Sequence, residues 1–463
     1  MHVVMGSACS GSGMDACAID AVASAFHQEN IPITFSSSFL FEIDDAKREW
    51  CGQLHELLDA DASSCSLPCR FANVSQFEGV SSSCSLHGAM CDLPSQIDGF
   101  SMGFSCKDFS KANANRKKHH GSDIFRAGTS PGKSADTMHG FLGLLDKTPP
   151  EWFVLENVDE LAGPLHSSAL DDLLVHIAER GYDAQTFILQ AEDFALPQHR
   201  VRCYIIGVLR PGRKLLVHDY SAFFEKVQAI LELCKSTGPS LEDMLLDEES
   251  PAVQQYLCKS QQKEMKGWDS STIDAHRAAW QKVGKRWQAS WPDYVDDQSP
   301  FFQTLTAREK DVVTYHRHVT PVDQGAQSKG VDVSQSITRR PCTKEAEDGR
   351  ILAPTIVPRS KIWLSLRKAD TSVHRILVGK ESLMIQGWPV DDARLEAFVD
   401  KHSNLFLQDL AGNAFPGTVI AAILVAVLFA ADAKESQDPQ STVASQEDVE
   451  AAFACFKRAR GMK

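Results

Sequence analysis

Val3-Val4-Met5-Gly6-Ser7-Ala8-Cys9-Ser10-Gly11-Ser12-Gly13-Met14-Asp15-Ala16 reads as a strand, a glycine turn and the first residues of a helix. In that context a G-x-G-x-x-A turn is informative. Gly11 and Gly13 let the backbone take up positive φ and approach a ligand closely. The next strand-like run ends Phe41-Glu42-Ile43-Asp44, and a carboxylate at Glu42 can accept hydrogen bonds from both hydroxyls of a ribose. The two features together suit an adenosine-bearing cofactor. The glycine turn alone is equally a tight strand-to-helix connection with no ligand.

The rest of the first half repeats the alternation. Strand-like runs fall near 2 to 9, 33 to 42, 97 to 104, 151 to 156, 184 to 190 and 201 to 209. Apolar residues recur at helical spacing in 14 to 28, 44 to 59, 136 to 146 and 167 to 180. This pattern predicts an α/β fold, a doubly wound, mostly parallel Rossmann-like sheet with helices on both faces. Its last two strands, separated by Ala191 to Arg200, suit an antiparallel pair. After Pro211 the alternation dissolves into acidic helical stretches, a Trp-bearing segment and a basic region, so a smaller second domain is inserted there. The expected boundaries are 1–212 for the first domain, 213–373 for the insertion, 374–433 for the return of the chain, and 434–463 for a polar, mobile tail.

A chain of 463 residues with 43% hydrophobic content can bury at least one large core. Its N-terminus lacks the basic start and apolar segment of a secretory signal. The apolar run from Val419 to Ala431 falls short of the roughly 20 residues that a membrane helix needs, and reads as a buried helix. Thirteen cysteines without a signal peptide suit reduced thiols inside a cell. The net charge of -14 disfavours nucleic-acid binding by the whole surface, but binding depends on where charge lies. Residues 335 to 381 hold ten Lys/Arg against five Asp/Glu, and Asn115-Arg116-Lys117-Lys118-His119-His120 is basic too.

Four further segments carry chemistry. Gly103-Phe104-Ser105-Cys106-Lys107-Asp108-Phe109-Ser110 presents a thiol after a strand with cations following it, conditions that raise the thiolate fraction. Glu156-Asn157-Val158 ends a strand at the carboxyl edge of the sheet, where open parallel folds place their chemistry. In Gln198-His199-Arg200-Val201-Arg202, a strand beginning there would put Arg200 and Arg202 on one face. Gly412-Asn413-Ala414 precedes the last apolar helix. Taken singly, these are an inert buried thiol, a strand-end cap, salt-bridged arginines and a turn.

In this order the segments resemble the cytosine-C5 DNA methyltransferase family, which moves a methyl group from S-adenosylmethionine to carbon 5 of cytosine. The match is most specific at Cys106, where the family has Pro-Cys and then, after two intervening residues, Phe-Ser; here Ser105 replaces the proline. The resemblance implies catalytic roles for Cys106 as nucleophile, Glu156 as proton donor at the ring, Arg202 as contact to cytosine O2 and Arg200 as a brace of the active-site loop. It implies cofactor contacts at Gly11, Gly13, Glu42, Asn73 and Asn413, with Asn73 where the family has an Asp. Ser7 and Cys9 stand where the family has an acid and a Phe. The run from Asn113 to Lys117 is similar to the loop that closes over a flipped base, and Arg375 to Pro389 to the segment supporting a target-recognition domain. DNA is the expected partner. RNA methylation, or a silent DNA-binding scaffold of the same fold, are the rival readings. The expected location is intracellular: the nucleus in a eukaryote, the cytoplasm or nucleoid otherwise.

Other signals are weaker. Cys65, Cys69, Cys84, His87 and Cys91 have irregular spacing for a zinc module, so this stretch reads as a cysteine-rich loop and no metal is expected. Trp280, Trp287 and Trp291 read as a core stripe rather than a base-stacking surface. Thr306-Ala307-Arg308-Glu309 is a capping box. Tyr315-His316-Arg317-His318 reads as solvated surface.

Overall fold

The computed structural model describes residues 1–59, 67–74, 81–110, 133–261, 274–275, 277–278, 280–281, 299–319, 329–335, 342–368, 371–390, 392–431, 451 and 454–457. The chain divides into two compact units. The first comprises 1–194, 201–236 and 414–463, and the second 195–200 and 237–413. Residues 374–413, read from sequence as the returning segment, are therefore grouped with the second unit, and the return falls at Ala414.

The first unit is built on a nine-stranded sheet: β1 (His2–Ala8), β2 (Thr34–Phe41), β3 (Cys69–Phe71), β4 (Ser81–Cys84), β5 (Ala89–Asp92), β6 (Ile97–Gly103), β7 (Pro150–Val158), β8 (Tyr182–Gln190) and β9 (Val201–Leu209). Their spatial order is β5-β4-β3-β2-β1-β6-β7-β9-β8. The five strands from β3 to β7 are parallel, and β9 runs antiparallel between β7 and β8. This is the expected doubly wound sheet with its antiparallel pair. The hairpin β4–β5, antiparallel to β3, extends the far edge. There the expected cysteine-rich loop is corrected: its described part forms strands.

Helices α1 (Met14–Gln28), α2 (Asp45–Leu58), α3 (Lys133–Lys147) and α4 (Ser167–Glu179) connect these strands, and α5 (Tyr220–Cys234) follows β9. Asp44 starts α2 by accepting from the backbone N–H groups of Ala46 and Lys47. The register of β1 with β2 skips Ser38. A one-residue bulge reverses the facing of every side chain beyond it. Phe35 accordingly stacks on Phe26 of α1, whereas Phe39 packs against Phe100 in the core shared with α3 and α4. The apolar helix Gly417–Ala430 is buried against α1 and α5, as its composition predicts.

The second unit contains a three-stranded antiparallel sheet with Ile362–Lys368 between Lys329–Asp332 and Thr371–Ile376. Trp280 joins its core and packs edge-on against Tyr315. Trp287 and Trp291 lie outside the described residues. Thr306 and Glu309 form the expected capping box. The solvated reading of Tyr315 and His316 is corrected: both are buried on the helix Ala307–Val319, at 2% and 5% exposure. A run of polar letters hid a helix with one inward face.

Arg375 and Glu381, both fully buried, pair through two bonds of 2.7 and 2.9 Å. The Glu381 carboxylate also accepts from the N–H groups of Leu246 and Val378, and Arg375 donates to the Leu246 carbonyl. Three segments of the second unit therefore meet on one ion pair. Glu381→Gln should cost about 3–5 kcal/mol, because it leaves a buried guanidinium without its counter-charge. Urea denaturation checks this, and wild-type stability in the variant would contradict it.

His55 on α2 is buried, and burial, with Arg70 beside it, lowers its pKa to about 4. Below about pH 6.5 the unfolded chain gains a proton that the folded chain refuses until about pH 4, so His55 removes stability as pH falls through that window. His55→Leu should abolish this component, roughly 1 kcal/mol per pH unit, in denaturation curves compared across the window. Parallel curves for wild type and variant would contradict it.

Candidate active site

Two groups of side chains gather at the carboxyl ends of the parallel strands. The first lies around the turn after β1. Gly11 and Gly13 have φ of 52° and 71°, and a side chain at Gly13 would strike Leu54. The loop is held from several directions. Trp50 donates to the Ser12 carbonyl at 2.7 Å, and Gly13 N–H donates to the Ser10 carbonyl at 2.8 Å. The Gly11 N–H donates to Glu42 Oε2 at 2.9 Å, and the Asp44 N–H to Glu42 Oε1 at 3.0 Å.

Glu42 thus stands just beyond β2, fixed by one N–H on each oxygen. A carboxylate oxygen has two acceptor sites, so capacity remains for a diol. Asn73 lies two residues past the end of β3, whose last carbonyl, Phe71, accepts from the Glu42 N–H. Glycine turn, acid and amide therefore follow three adjacent parallel strands, an arrangement that fits an adenosine group. Asp15, at the start of α1, accepts from the Ser101 hydroxyl of β6 at 2.7 Å, and burial raises its pKa. Ser7 and Ser10 share a hydroxyl contact of 2.6 Å. Asn413 is grouped with the second unit, is exposed, and its amide donates to the Asp409 carbonyl.

The second group centres on the ends of β6, β7 and β9. Gly103 pairs in register with Glu156, and Val158 with Arg202. Glu156 and Arg202 are thus diagonal neighbours, and Arg202 Nε lies 3.0 Å from Glu156 Oε1. Their side chains are 13% and 11% exposed, so the pair is largely desolvated yet reachable. β9 begins at Val201, so Arg200 immediately precedes the strand that the sequence assigned it to; it is grouped with the second unit, where its guanidinium donates to the Ile356 carbonyl.

Cys106, half-buried and unbridged, sits three residues past β6 in a turn closed by the Phe109 and Ser110 N–H groups on its carbonyl. Residues distant in sequence fix this turn. Ser105 N–H donates to Thr137 Oγ1 at 3.1 Å, and Asp108 and Ser134 exchange two hydrogen bonds. Asn157, beside Glu156, donates to the Phe104 carbonyl at 3.0 Å. Phe109, fully buried, packs edge-on against Phe104 and His166.

Other thiols near this edge are unsuited to nucleophilic work. Burial, with Glu42 nearby, pushes the Cys9 thiol up to about 12, and burial with Glu156 and Asp159 does the same to Cys203. Sequence reasoning missed Ser134, Thr137 and His166 as supports of the Cys106 turn. The one local signal was Asp108 within the motif itself. The basic run Asn113 to His120 lies outside the described residues.

The profile of C-5 cytosine-specific DNA methylase matches residues 75–428, a span that takes in Cys106, Glu156, Arg200, Arg202 and Asn413 and begins after the Gly11–Gly13 turn. The chain is similar to the DNA (cytosine-5-)-methyltransferase DMT5 of Cryptococcus neoformans, at 23% identity over 94% of this chain and 17% of that protein. It is also similar to the type II methyltransferase M.NlaX of Neisseria lactamica, at 32% identity over 26% of this chain and 34% of that protein. A solved structure, S. pombe Dnmt2 methyltransferase, covers 92% of this chain and 98% of its own at 12% identity and a TM-score of 0.42. The chain thus spans well under two thirds of the length of the curated relatives it matches. With the profile covering most of its length, the chain belongs to the C-5 cytosine-specific DNA methylase family.

Proposed function

We propose that this chain methylates carbon 5 of cytosine in DNA through a covalent adduct between Cys106 and a base turned out of its helix. The observation that carries the reading is the Glu156–Arg202 pair, set in register beside the strand that leads to Cys106. Cytosine carbon 5 is too weak a nucleophile to attack a methyl sulfonium unaided. Addition of the Cys106 thiolate to carbon 6 makes carbon 5 nucleophilic and sends negative charge toward N3 and O2. Glu156 delivers a proton at N3 as that charge builds. Arg202 offers guanidinium donors to the charge that builds at O2. Once carbon 5 is methylated, its proton passes to water, the C5–H electrons re-form the ring double bond as the C6–S bond breaks to release the Cys106 thiolate, and N3 returns its proton to Glu156. A base stacked in duplex cannot reach a thiol at the foot of this edge, so the target must leave the stack.

S-adenosylmethionine supplies the electrophilic methyl group when bound. Gly11, Gly13, Glu42 and Asn73 would hold it, the turn admitting close backbone approach and Glu42 taking the ribose hydroxyls. We assign Arg200 a supporting role through Ile356, outside the contact with the base. Among the described residues no cysteines are bridged, which suits work in a reducing intracellular compartment, the nucleus in a eukaryotic cell.

Tritiated methyl transfer to DNA and to tRNA, run in parallel, tests the reading. Label should enter DNA, and Cys106→Ser should fall to background while S-adenosylmethionine binding persists, since a hydroxyl is scarcely ionised near neutral pH. Label confined to tRNA would transfer the activity to RNA. No label in either, with cofactor bound, would indicate a silent binder. Glu156→Gln should lose on the order of a hundredfold in rate or more, through the lost proton donor. A variant changed only in cofactor affinity would move Glu156 to a binding role.

A further inference from the structure

We propose that Cys69, Cys84, His87 and Cys91 form a closed site for one structural Zn²⁺ that fastens β3 to the β4–β5 hairpin. The four side chains come from four places: Cys69 on β3, Cys84 at the end of β4, His87 in the hairpin turn and Cys91 on β5. Their ligand atoms all lie within 4.8 Å of one another. His87 Nδ1 is 3.7 Å from the Cys69 sulfur, 3.4 Å from that of Cys84 and 3.2 Å from that of Cys91. Around a tetrahedral zinc with bonds of about 2.3 Å to sulfur and 2.0–2.1 Å to nitrogen, a nitrogen and a sulfur stand about 3.6 Å apart. The observed separations bracket that value.

Hydrogen bonding does not account for the convergence. An imidazole nitrogen carries either one proton or one lone pair, so it can satisfy one of the three sulfurs. Disulfide formation would use two of the thiols and leave the third and the imidazole unexplained. The backbone reads as a metal turn as well. In Cys84-Ser85-Leu86-His87-Gly88, Gly88 has φ of 62° with open space around it, and it returns the chain toward β5. The Arg70 N–H donates to the Cys84 sulfur at 3.3 Å.

Three thiolates and one imidazole select zinc over calcium or magnesium, and four protein ligands leave no open position for a reacting water. The role is structural. The hairpin strands β4 and β5, four residues each and with Met90 64% exposed, bury little apolar surface of their own at this edge. The metal supplies the missing cross-link where β3 leads into Asn73.

Metal analysis of the full chain, expressed with added zinc and purified in reducing buffer, tests the proposal. One zinc per chain is expected. It should be retained in Cys258→Ser and fall at least fivefold in Cys84→Ser/Cys91→Ser. Because that double variant can lose metal merely by unfolding, zinc X-ray absorption of the unmodified protein provides the second reading, with three sulfurs and one nitrogen expected. Substoichiometric zinc in the unmodified chain, an oxygen-rich coordination shell, full zinc in the double variant, or a disulfide among Cys69, Cys84 and Cys91 in the purified protein would each overturn it.

Discussion

Gly103 stands opposite Glu156 where β6 pairs with β7, and that register sets which groups share the carboxyl edge of the sheet. Parallel pairing carries the two strands to the same end, so the loop that follows β6 emerges beside Glu156. β9 runs the other way and enters at that end, so its second residue, Arg202, falls diagonally across from the same carboxylate. The lack of a side chain at Gly103 is part of the arrangement. A Cβ there would press within 3.1 Å of the Phe415 ring and 3.7 Å of Glu156 Oε2. A slip of one residue would turn Glu156 to the opposite face and separate it from Arg202.

The Cys106 turn shows how a departure from the family's usual sequence is accommodated. A proline before the cysteine would fix φ through its ring. Ser105 keeps an N–H instead, and that N–H donates to Thr137 Oγ1. With the Asp108–Ser134 exchange and the Asn157 amide on Phe104, the turn is tied to α3 and to β7 at once. Rigidity that a ring would give locally is provided by hydrogen bonds from residues 26 to 53 positions away. Proline at 105 would remove the donor.

This distribution explains what the sequence made legible. β1, β2, β6, β7, β8 and β9 declare themselves because each is seven to nine residues long and carries several apolar residues. β3, β4 and β5 do not: they are three or four residues long and rich in Ser and Cys, which carry no period-two signal. Motif order singled out Cys106, Glu156 and Arg202, whereas Ser134, Thr137 and His166 act through contacts that no local pattern encodes. Arg200 sits one residue ahead of β9, so a boundary difference of a single residue decides whether it counts as part of the strand. Tyr315 and His316 were misread for a related reason, since polar neighbours masked the inward side of a helix.

Trapping on a fluorinated substrate tests the central claim most directly, because a fluorine at cytosine C5 cannot leave as a proton does and the enzyme stays bonded to carbon 6. DNA containing 5-fluorocytosine, incubated with the chain and S-adenosylmethionine, should yield a denaturation-resistant adduct whose peptide mass maps to Cys106. An adduct on Cys9 or Cys203, or none from a preparation that methylates ordinary DNA, would contradict the assignment of Cys106 as the nucleophile.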